Sequence, residues 1–444
     1  MKKSNTEISF FLSLFVSILS VSSCAPDFDD FDQNSSGQSQ VDFSKYIAVG
    51  NSLTAGFADG GLYLEGQQAA FPNIIAAQLK SVGGGEFMSP FFAEEQSNGS
   101  GYIRLKGFVN DLPVTENVTD KLAIRGMSPT QRPLYTKYTN EIQNLGVPGM
   151  RLDMAFVAGV GSVYGNSYFE RLLTDDKTET ETYFNFATTK GHTFFSFWLG
   201  NNDVLGYATN GAYHDPNDPT TALTEAGLFA NLYTNFIEAL TAGERKGVVA
   251  TIPDVTVVPY FNTVTTARLE AGVSAATQGQ FSKIYITTSN GVRMATDEDL
   301  FPLTFPADTL GKAVIFGNPA TAGYGLIEQN PLHDKFVLDR DEVMEITTHI
   351  ETLNNTIKSV AENKELALAD AHDYLHLVKN GLTLSGIDIS ASYITGNVFS
   401  LDGIHLTPMG NAIMANLFID AINLKYSTNI PRVDITKYRA VILP

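Results

Sequence analysis

Five short apolar segments recur along the chain, and stretches of mixed polarity separate them. They cover residues 45–49, 143–149, 193–199, 247–252 and 366–371. Apolar runs of this length that end at glycine or polar residues are typical of strands buried on both faces. The pattern therefore predicts a five-stranded sheet that is mainly parallel.

Helical patterns lie between and after these segments. Residues 343–360 carry apolar side chains every three or four positions, which predicts a helix with one buried face. A second helix is predicted from Pro408 onward behind the N-cap candidate Thr407, and a shorter one over residues 72–79. Doubly buried strands separated by helices predict a three-layer α/β/α sandwich.

Three long stretches do not fit a minimal sandwich, namely residues 81–139, 206–244 and 254–338. They are rich in glycine, threonine and asparagine, and we interpret them as insertions within one domain that covers residues 45–444. Their apolar and aromatic side chains either line a groove for an acyl chain or fill the core of an enlarged domain. These side chains are Phe87, Phe91, Phe92, Tyr260, Phe261, Phe301 and Phe305.

The composition excludes several classes of protein. The 444 residues carry a net charge of −19, so nucleic acid is not an expected partner. A single cysteine excludes a disulfide framework and any zinc site with two or more thiolates. Apolar types make up 43% of the chain, which is ample material for a large buried core.

The N-terminus predicts export from the cytoplasm. Lys2 and Lys3 precede an apolar run over residues 8–21, which is too short to span a bilayer comfortably and suits a signal peptide of residues 1–23. The sequence VSSC that ends at Cys24 resembles a bacterial lipobox. That resemblance implies cleavage before Cys24 and lipidation of its thiol.

The segment behind this cysteine reads as a tether. In proteins with a lipobox the next residue sorts the lipoprotein, and Ala25 favours the outer membrane. Residues 24–44 are polar and acidic without helical periodicity, and their acidic cluster is similar to the surface-export signals of Bacteroidetes lipoproteins. We therefore expect an outer-membrane lipoprotein, with the membrane as a partner through a lipid anchor at Cys24.

Candidate chemistry follows the predicted strand ends, where open parallel sheets bind their ligands. Ser52 comes after the first segment, Gly149 after the second and Asn202 after the third. Asp402 and His405, with two residues between them, come just before the last helix. These residue types can together form a site for acyl transfer.

Each of the five has a role that acyl transfer requires. Ser52 is the candidate nucleophile and His405 its base, while Asp402 can reach back to the Nδ1–H of His405 and orient the ring. The backbone N–H groups of Ser52 and Gly149 and the side-chain amide of Asn202 are the candidate donors to the developing oxyanion.

Alternative interpretations exist for single residues of this set. Ser52 taken alone fits a simple turn serine. Asp373 and His376 repeat the Asp-x-x-His spacing, but they follow the fifth segment directly and we interpret them as a solvated turn. His372 and His376 could lie one helical turn apart as metal ligands, but the sequence around them lacks a companion glutamate, so no metal site is predicted.

The order Ser, Gly, Asn, His along the chain resembles the SGNH (GDSL-type) hydrolase family. Ser52 matches the first motif block, Gly149 the second, Asn202 in Gly-x-Asn-Asp the third, and Asp402 with His405 the fifth. The resemblance covers roughly residues 45–423 and implies a flavodoxin-like sandwich with five parallel strands. It also implies ester hydrolysis by a serine nucleophile without a metal or cofactor.

One residue departs from the family pattern, and one motif position has two candidates. Asn51 stands where the family usually has aspartate, which predicts altered hydrogen bonding beside the serine without loss of activity. Gly146 is an alternative to Gly149 as the second-block donor.

The sequence thus predicts a serine ester hydrolase of the lipase or acylesterase type that acts on a small-molecule, lipid or glycan ester. A carbohydrate O-acetylesterase on the same site is an alternative, and a non-catalytic glycan-binding lipoprotein is another. The natural ester, its chain length and the oligomeric state are left open by the sequence.

Overall fold

The computed structural model describes residues 41–109, 112–313 and 322–444. The predicted signal peptide, Cys24 and the tether up to residue 40 lie outside these ranges. Among the helices within them, none has both the length and the apolar character needed to cross a bilayer.

Strands and helices alternate through the described ranges. The strands are β1 Tyr46–Gly50, β2 Tyr102–Val109, β3 Leu112–Val118, β4 Ile124–Met127, β5 Pro133–Tyr135, β6 Phe194–Trp198, β7 Lys246–Ala250, β8 Tyr285–Thr288, β9 Gly291–Met294, β10 Ala367–Ala369, β11 Leu382–Leu384 and β12 Ile387–Ile389. The helices are α1 Ser52–Ala55, α2 Leu64–Gln68, α3 Phe71–Leu79, α4 Ser167–Glu170, α5 Tyr183–Thr188, α6 Asn202–Thr209, α7 Ala226–Thr241, α8 Pro259–Asn262, α9 Thr266–Ala276, α10 Arg340–Asn363, α11 Ala371–Asn380 and α12 Pro408–Tyr426.

The central sheet is parallel and has the strand order β1-β6-β7-β10. Tyr46 pairs with Phe194 at one end of the β1–β6 register, and Gly50 pairs with Trp198 at the other. The predicted α/β fold with a parallel sheet is confirmed.

The prediction of a five-stranded sheet is wrong in one element, because residues 143–149 form no strand. They meet β1 at a single parallel bridge between Asn144 and Ala48, and the Leu145 N–H donates to the Ala48 carbonyl over 2.8 Å. A Cβ on Gly146 would lie 2.4 Å from the backbone nitrogen of Ala55, so only glycine fits where this segment passes α1. The described sheet therefore has four strands with this segment along its β1 edge.

Alternate residues of β6 point to opposite helix layers, as the period of two in a strand requires. The Phe197 ring lies 4.9 Å from that of Phe236 on α7, measured between centroids. The next residue, Trp198, lies 5.6 Å from Phe71 on α3 and 5.6 Å from Phe418 on α12. The sheet is thus covered on both faces, which makes the predicted three-layer sandwich.

The predicted insertions contain structure of their own. Residues 206–244 include α7, a core helix whose pattern the sequence analysis missed. Residues 81–139 form the hairpins β2–β3 and β4–β5. Residues 254–338 include α9 and the hairpin β8–β9, with a small hydrophobic cluster that is separate from the main core.

Most aromatic side chains of these insertions fill cores and do not line a groove. Phe301 and Phe305 are buried in the separate cluster, and Phe261 is buried in the main core. Phe87 stacks on Tyr46. These four phenylalanine side chains therefore fill hydrophobic cores, which was one of the two interpretations that we gave for the insertions.

The two ends of the described chain are fixed by packing. Val41 and Phe43, in the segment that we predicted as a tether up to residue 44, are buried in the core. After α12, Ile430 and Ile435 are buried, and the Asn416 side chain donates to the Val433 carbonyl. The last described residues therefore pack along α12 and add no strand to the described sheet.

The burial of β6 predicts a large loss of stability on truncation. Phe197→Ala should lower the free energy of unfolding by about 3–5 kcal/mol, because it removes a fully buried ring and leaves a cavity. Leu424→Ala on α12, where the side chain is 86% exposed, should change it by less than about 0.5 kcal/mol. Urea unfolding followed by circular dichroism measures both, and equal losses would contradict this packing.

Candidate active site

Ser52 lies directly beyond the carboxyl end of β1, as the first residue of α1. Asn51 forms the N-cap of this short helix, and its Oδ1 accepts the Leu53 N–H over 3.1 Å. An N-cap needs a side-chain oxygen, which asparagine supplies as aspartate does. This contact accounts physically for asparagine at a position where the family usually has aspartate.

In the structure, consecutive side-chain hydrogen bonds join Ser52, His405 and Asp402. The distance from His405 Nε2 to Ser52 Oγ is 2.9 Å, and that from His405 Nδ1 to Asp402 Oδ2 is also 2.9 Å. The ring of Phe57 packs against the imidazole with 4.7 Å between centroids. The imidazole is thus held between the hydroxyl and the carboxylate.

Asp402 is surrounded by hydrogen-bond donors. Its Oδ1 accepts the backbone N–H groups of Ile404 and His405 over 2.9 and 2.8 Å, and the Ser400 hydroxyl over 3.1 Å. The Gly60 N–H donates to Oδ2 over 2.9 Å. Burial raises the pKa of Asp402, but the charge of His405 and these bonds outweigh it, so the pKa lies well below its usual range.

A second contact ties the turn after α1 to the loop that carries Asp402. Asp59 accepts the Leu401 N–H on its Oδ1 over 2.9 Å, and its own N–H donates to the Ser400 hydroxyl over 3.0 Å. Tyr63 donates its hydroxyl to the other carboxylate oxygen of Asp59 over 2.7 Å. Residues near both ends of the described chain therefore form a single polar cluster behind the imidazole.

The three residues that carry the candidate donors, Ser52, Gly149 and Asn202, line a cavity of about 450 Å³ together with His405. Among the described residues, no acceptor takes the backbone N–H of Ser52 or that of Gly149. The Asn202 amide donates one N–H to the Met150 carbonyl over 3.0 Å, which leaves its second N–H available. The three groups thus match the donor set that an oxyanion needs.

The structure favours Gly149 over Gly146 as the second-block donor. The Gly146 N–H is already bound to the Asn144 side chain over 3.0 Å. Gly149 has a φ of +75°, a conformation that glycine adopts without strain, and it lines the cavity. Its amide is therefore free to face a ligand, whereas that of Gly146 is engaged.

A buried arginine that the sequence analysis missed joins the two donor loops. The Arg151 guanidinium donates to the Asn202 carbonyl over 3.1 Å and binds both carboxylate oxygens of Asp153. Beside it, Asp203 accepts the Leu152 N–H over 2.8 Å, and burial raises the pKa of Asp203 to about 6. Only the position of Arg151, two residues after Gly149, hinted at this role in the sequence.

The rival pair Asp373 and His376 lies on α11 and not in a turn as we predicted, and the two side chains are 72% and 41% exposed, in line with the expected contact with solvent. His376 Nε2 is 3.5 Å from an Asp254 oxygen, and the His372 ring lies 4.9 Å from that of His376. None of these side chains hydrogen-bonds to Ser52. Asp370, beside them, is engaged by Lys358 over 3.0 Å.

A second and much narrower cavity also reaches Ser52 and His405. It holds about 40 Å³, and its other walls are mainly apolar side chains of the core. The site therefore has two recesses of different size that meet at the serine.

The α/β sandwich presents a hydrogen-bonded serine, histidine and aspartate beyond its parallel sheet. This is the arrangement of a serine hydrolase. The chain belongs to the GDSL-like lipase/acylhydrolase family, which matches residues 46–418, and it is an ester-bond hydrolase. No curated protein is detectably similar to it in sequence.

Several solved structures are similar to the chain at low sequence identity and low TM-score. A lipase/acylhydrolase from Enterococcus faecalis is 10% identical, with 88% of this chain and 99% of that chain covered and a TM-score of 0.32. LAE5, an alpha/beta hydrolase enzyme from the metagenome of Lake Arreo in Spain, is 11% identical, with 87% and 97% covered and a TM-score of 0.34. An extracellular lipase from Streptomyces rimosus is 11% identical, with 86% and 98% covered and a TM-score of 0.31.

The environment of Asp402 predicts a pH-dependent contribution to stability. Its pKa in the folded protein lies below the value of about 3.9 in an unfolded chain, so its charge stabilises the fold above that pH and this contribution is lost as the pH falls. Asp402→Asn should therefore unfold more easily than the wild type at about pH 7, and the difference should shrink toward about pH 3. Thermal unfolding across this range measures it, and a constant difference would contradict the assignment.

Proposed function

We propose that the chain hydrolyses carboxylic esters with Ser52 as nucleophile, through an acyl-enzyme intermediate and without a metal or cofactor. The observation that carries the proposal is the Asp402–His405–Ser52 chain with its two 2.9 Å contacts. The cavity that Ser52 and His405 line, with Gly149 and Asn202 on its wall, supports it.

The first half of the reaction acylates the serine. His405 Nε2 accepts the hydroxyl proton while Ser52 Oγ bonds to the ester carbonyl carbon, and the carbonyl π electrons move to its oxygen. That oxyanion accepts hydrogen bonds from the N–H groups of Ser52 and Gly149 and from the Asn202 amide. When the carbon–oxygen bond to the alcohol breaks, the departing oxygen takes the proton from Nε2.

The second half repeats these steps with water. His405 Nε2 takes a proton from the water as its oxygen attacks the acyl carbon, and Ser52 leaves with that proton. Asp402 accepts the Nδ1–H throughout, which keeps the Nε2 lone pair directed at the serine and stabilises the imidazolium. The low pKa of Asp402 keeps it ionised for this task.

Removal of the nucleophile tests the proposal. Ser52→Ala should lower kcat for p-nitrophenyl butyrate by about 10⁴-fold or more, because it removes the hydroxyl that His405 Nε2 contacts. Ser359→Ala, on the exposed face of α10, is the matched control and should keep full activity. Turnover by Ser52→Ala at the wild-type rate, with folding verified by circular dichroism, would refute the mechanism.

We also propose that the enzyme works as an outer-membrane lipoprotein anchored through Cys24. The support is the sequence alone: a charged start, an apolar run over residues 8–21 and a lipobox-like VSSC. One lipid chain binds a membrane only weakly, so a lasting anchor of this kind needs more than one chain.

Metabolic labelling tests the anchor. Palmitate label should enter the wild type and be lost in Cys24→Ser, because the chain has no other cysteine. A second variant that combines Cys24→Ser with Ser39→Cys is the matched control and should stay unlabelled, since it restores a thiol outside the lipobox. Label retained by Cys24→Ser would refute the anchor.

A further inference from the structure

The two recesses at Ser52 differ in size. An ester has two parts, the acyl group and the alcohol, and each must find room beside the serine. We propose that the substrates are esters of a short acyl group, about two to four carbons long, with a bulky alcohol. This inference rests on the proposed function, because it assigns the arms of an ester attacked by Ser52. The narrow recess would hold the acyl group, and the cavity of about 450 Å³ would hold the alcohol.

The narrow recess is too small for a long chain. It offers about 40 Å³, whereas a water-sized group needs roughly 10–15 Å³ of the same kind of space. By this measure the recess has room for about three water-sized groups. An acyl chain from acetyl to butyryl matches this capacity.

The walls of the narrow recess leave no easy route for extension. Trp198 lines it from β6, Met414 from α12 and Leu375 from α11, and all three side chains are buried. Trp198 is itself held in place, since its indole N–H donates to the Thr251 carbonyl over 3.0 Å. A longer chain would have to displace side chains of the close-packed core.

The larger cavity suits a bulky group that must enter and leave. Phe57, Tyr168 and Tyr135 form an aromatic wall, with 6.1 Å between the first two ring centroids and 4.9 Å between the last two. Asn166 and Ser167 add hydrogen-bonding groups to the same cavity. It is also the wider route by which water could reach the acyl-enzyme.

The order of the two reaction steps indicates which recess holds the acyl group and which holds the alcohol. The bond from Ser52 Oγ to the acyl carbon persists while the alcohol departs with the proton from His405 Nε2 and water enters. The acyl group therefore stays through both steps and suits the narrow recess. The alcohol must leave between them and suits the open cavity.

A third cavity of about 1280 Å³ is the main rival for a long acyl chain. The hairpin β2–β3 and the insertion around α9 form it, and Tyr260 and Leu303 lie on its wall. It reaches Asp402 and Ile404, but neither Ser52 nor His405 lines it. A chain bonded to Ser52 would have to pass Ile404 to occupy it.

Two isomeric esters test the assignment on the wild-type enzyme. Heptyl acetate has a short acyl arm and a long alcohol, and methyl octanoate has the reverse. We expect kcat/KM to be at least about tenfold higher for heptyl acetate, because a misfit in an apolar pocket costs at least that factor. Faster hydrolysis of methyl octanoate would overturn the proposal.

A chain-length series with a pocket variant tests the size limit. The wild type should prefer p-nitrophenyl acetate or butyrate to the octanoate and the palmitate, and Leu375→Ala should move the optimum to longer chains because it enlarges the recess. Val378→Ala is the matched control, since Val378 is buried on the same helix but does not line the recess. A wild-type preference for palmitate, or an unchanged profile in a folded Leu375→Ala, would overturn the proposal.

A fluorophosphonate probe separates this proposal from the function on which it rests. If Ser52 is labelled and long-chain esters are hydrolysed best, the enzyme is a serine hydrolase and only the short-acyl assignment fails. If Ser52 is not labelled and no ester is hydrolysed, both proposals fail together.

Discussion

The polar contact between the turn after α1 and the loop before α12 is the constraint on which the site depends. Ser52 and His405 are 353 residues apart in sequence, yet their side chains meet at 2.9 Å. Asp59 and Gly60 fix the distance, because each makes a short hydrogen bond to the loop that carries Asp402. The two bonds of Asp59 are buried, so the loss of either would leave a polar atom without water and destabilise the loop.

A second polar junction positions the groups that we propose as oxyanion donors. Met150 accepts from the Asn202 amide, Arg151 donates to the Asn202 carbonyl, and Asp203 accepts the Leu152 N–H. Two loops that follow different segments of the sheet are thereby joined along several residues. Donors held in this way need no reorganisation during the reaction, which is the property that makes an oxyanion site effective.

The fold was predictable because its core elements carry strong local patterns. The strands β1, β6 and β7 are short, apolar on both faces and followed by glycine or polar residues. Helix α10 shows its buried stripe in the sequence and has a capping box at Asp339. Helix α7 was missed because it lies inside a stretch that began as an irregular loop. The edge segment at 143–149 was predicted as a strand because its apolar run looks like one, while the close approach of Gly146 to α1 is a tertiary effect.

The site was predictable to the extent that its residues stand in short motifs. Ser52, Asn202 and the Asp402–His405 pair each lie at a strand or helix boundary that the sequence marks, and the structure brings them together. Arg151 and Asp59 carry no comparable signal, because their partners are backbone groups and distant side chains that only the folded chain brings near. The sizes of the cavities likewise follow from packing among remote elements, which no single motif records.

The central claim is that the imidazole of His405 makes Ser52 reactive. The most direct measurement is the rate at which a fluorophosphonate labels the folded protein, with the labelled peptide identified by mass spectrometry. We expect the label on Ser52 in the wild type and its loss in a folded His405→Ala variant. Label on another residue, or Ser52 labelling at an unchanged rate in His405→Ala, would contradict it.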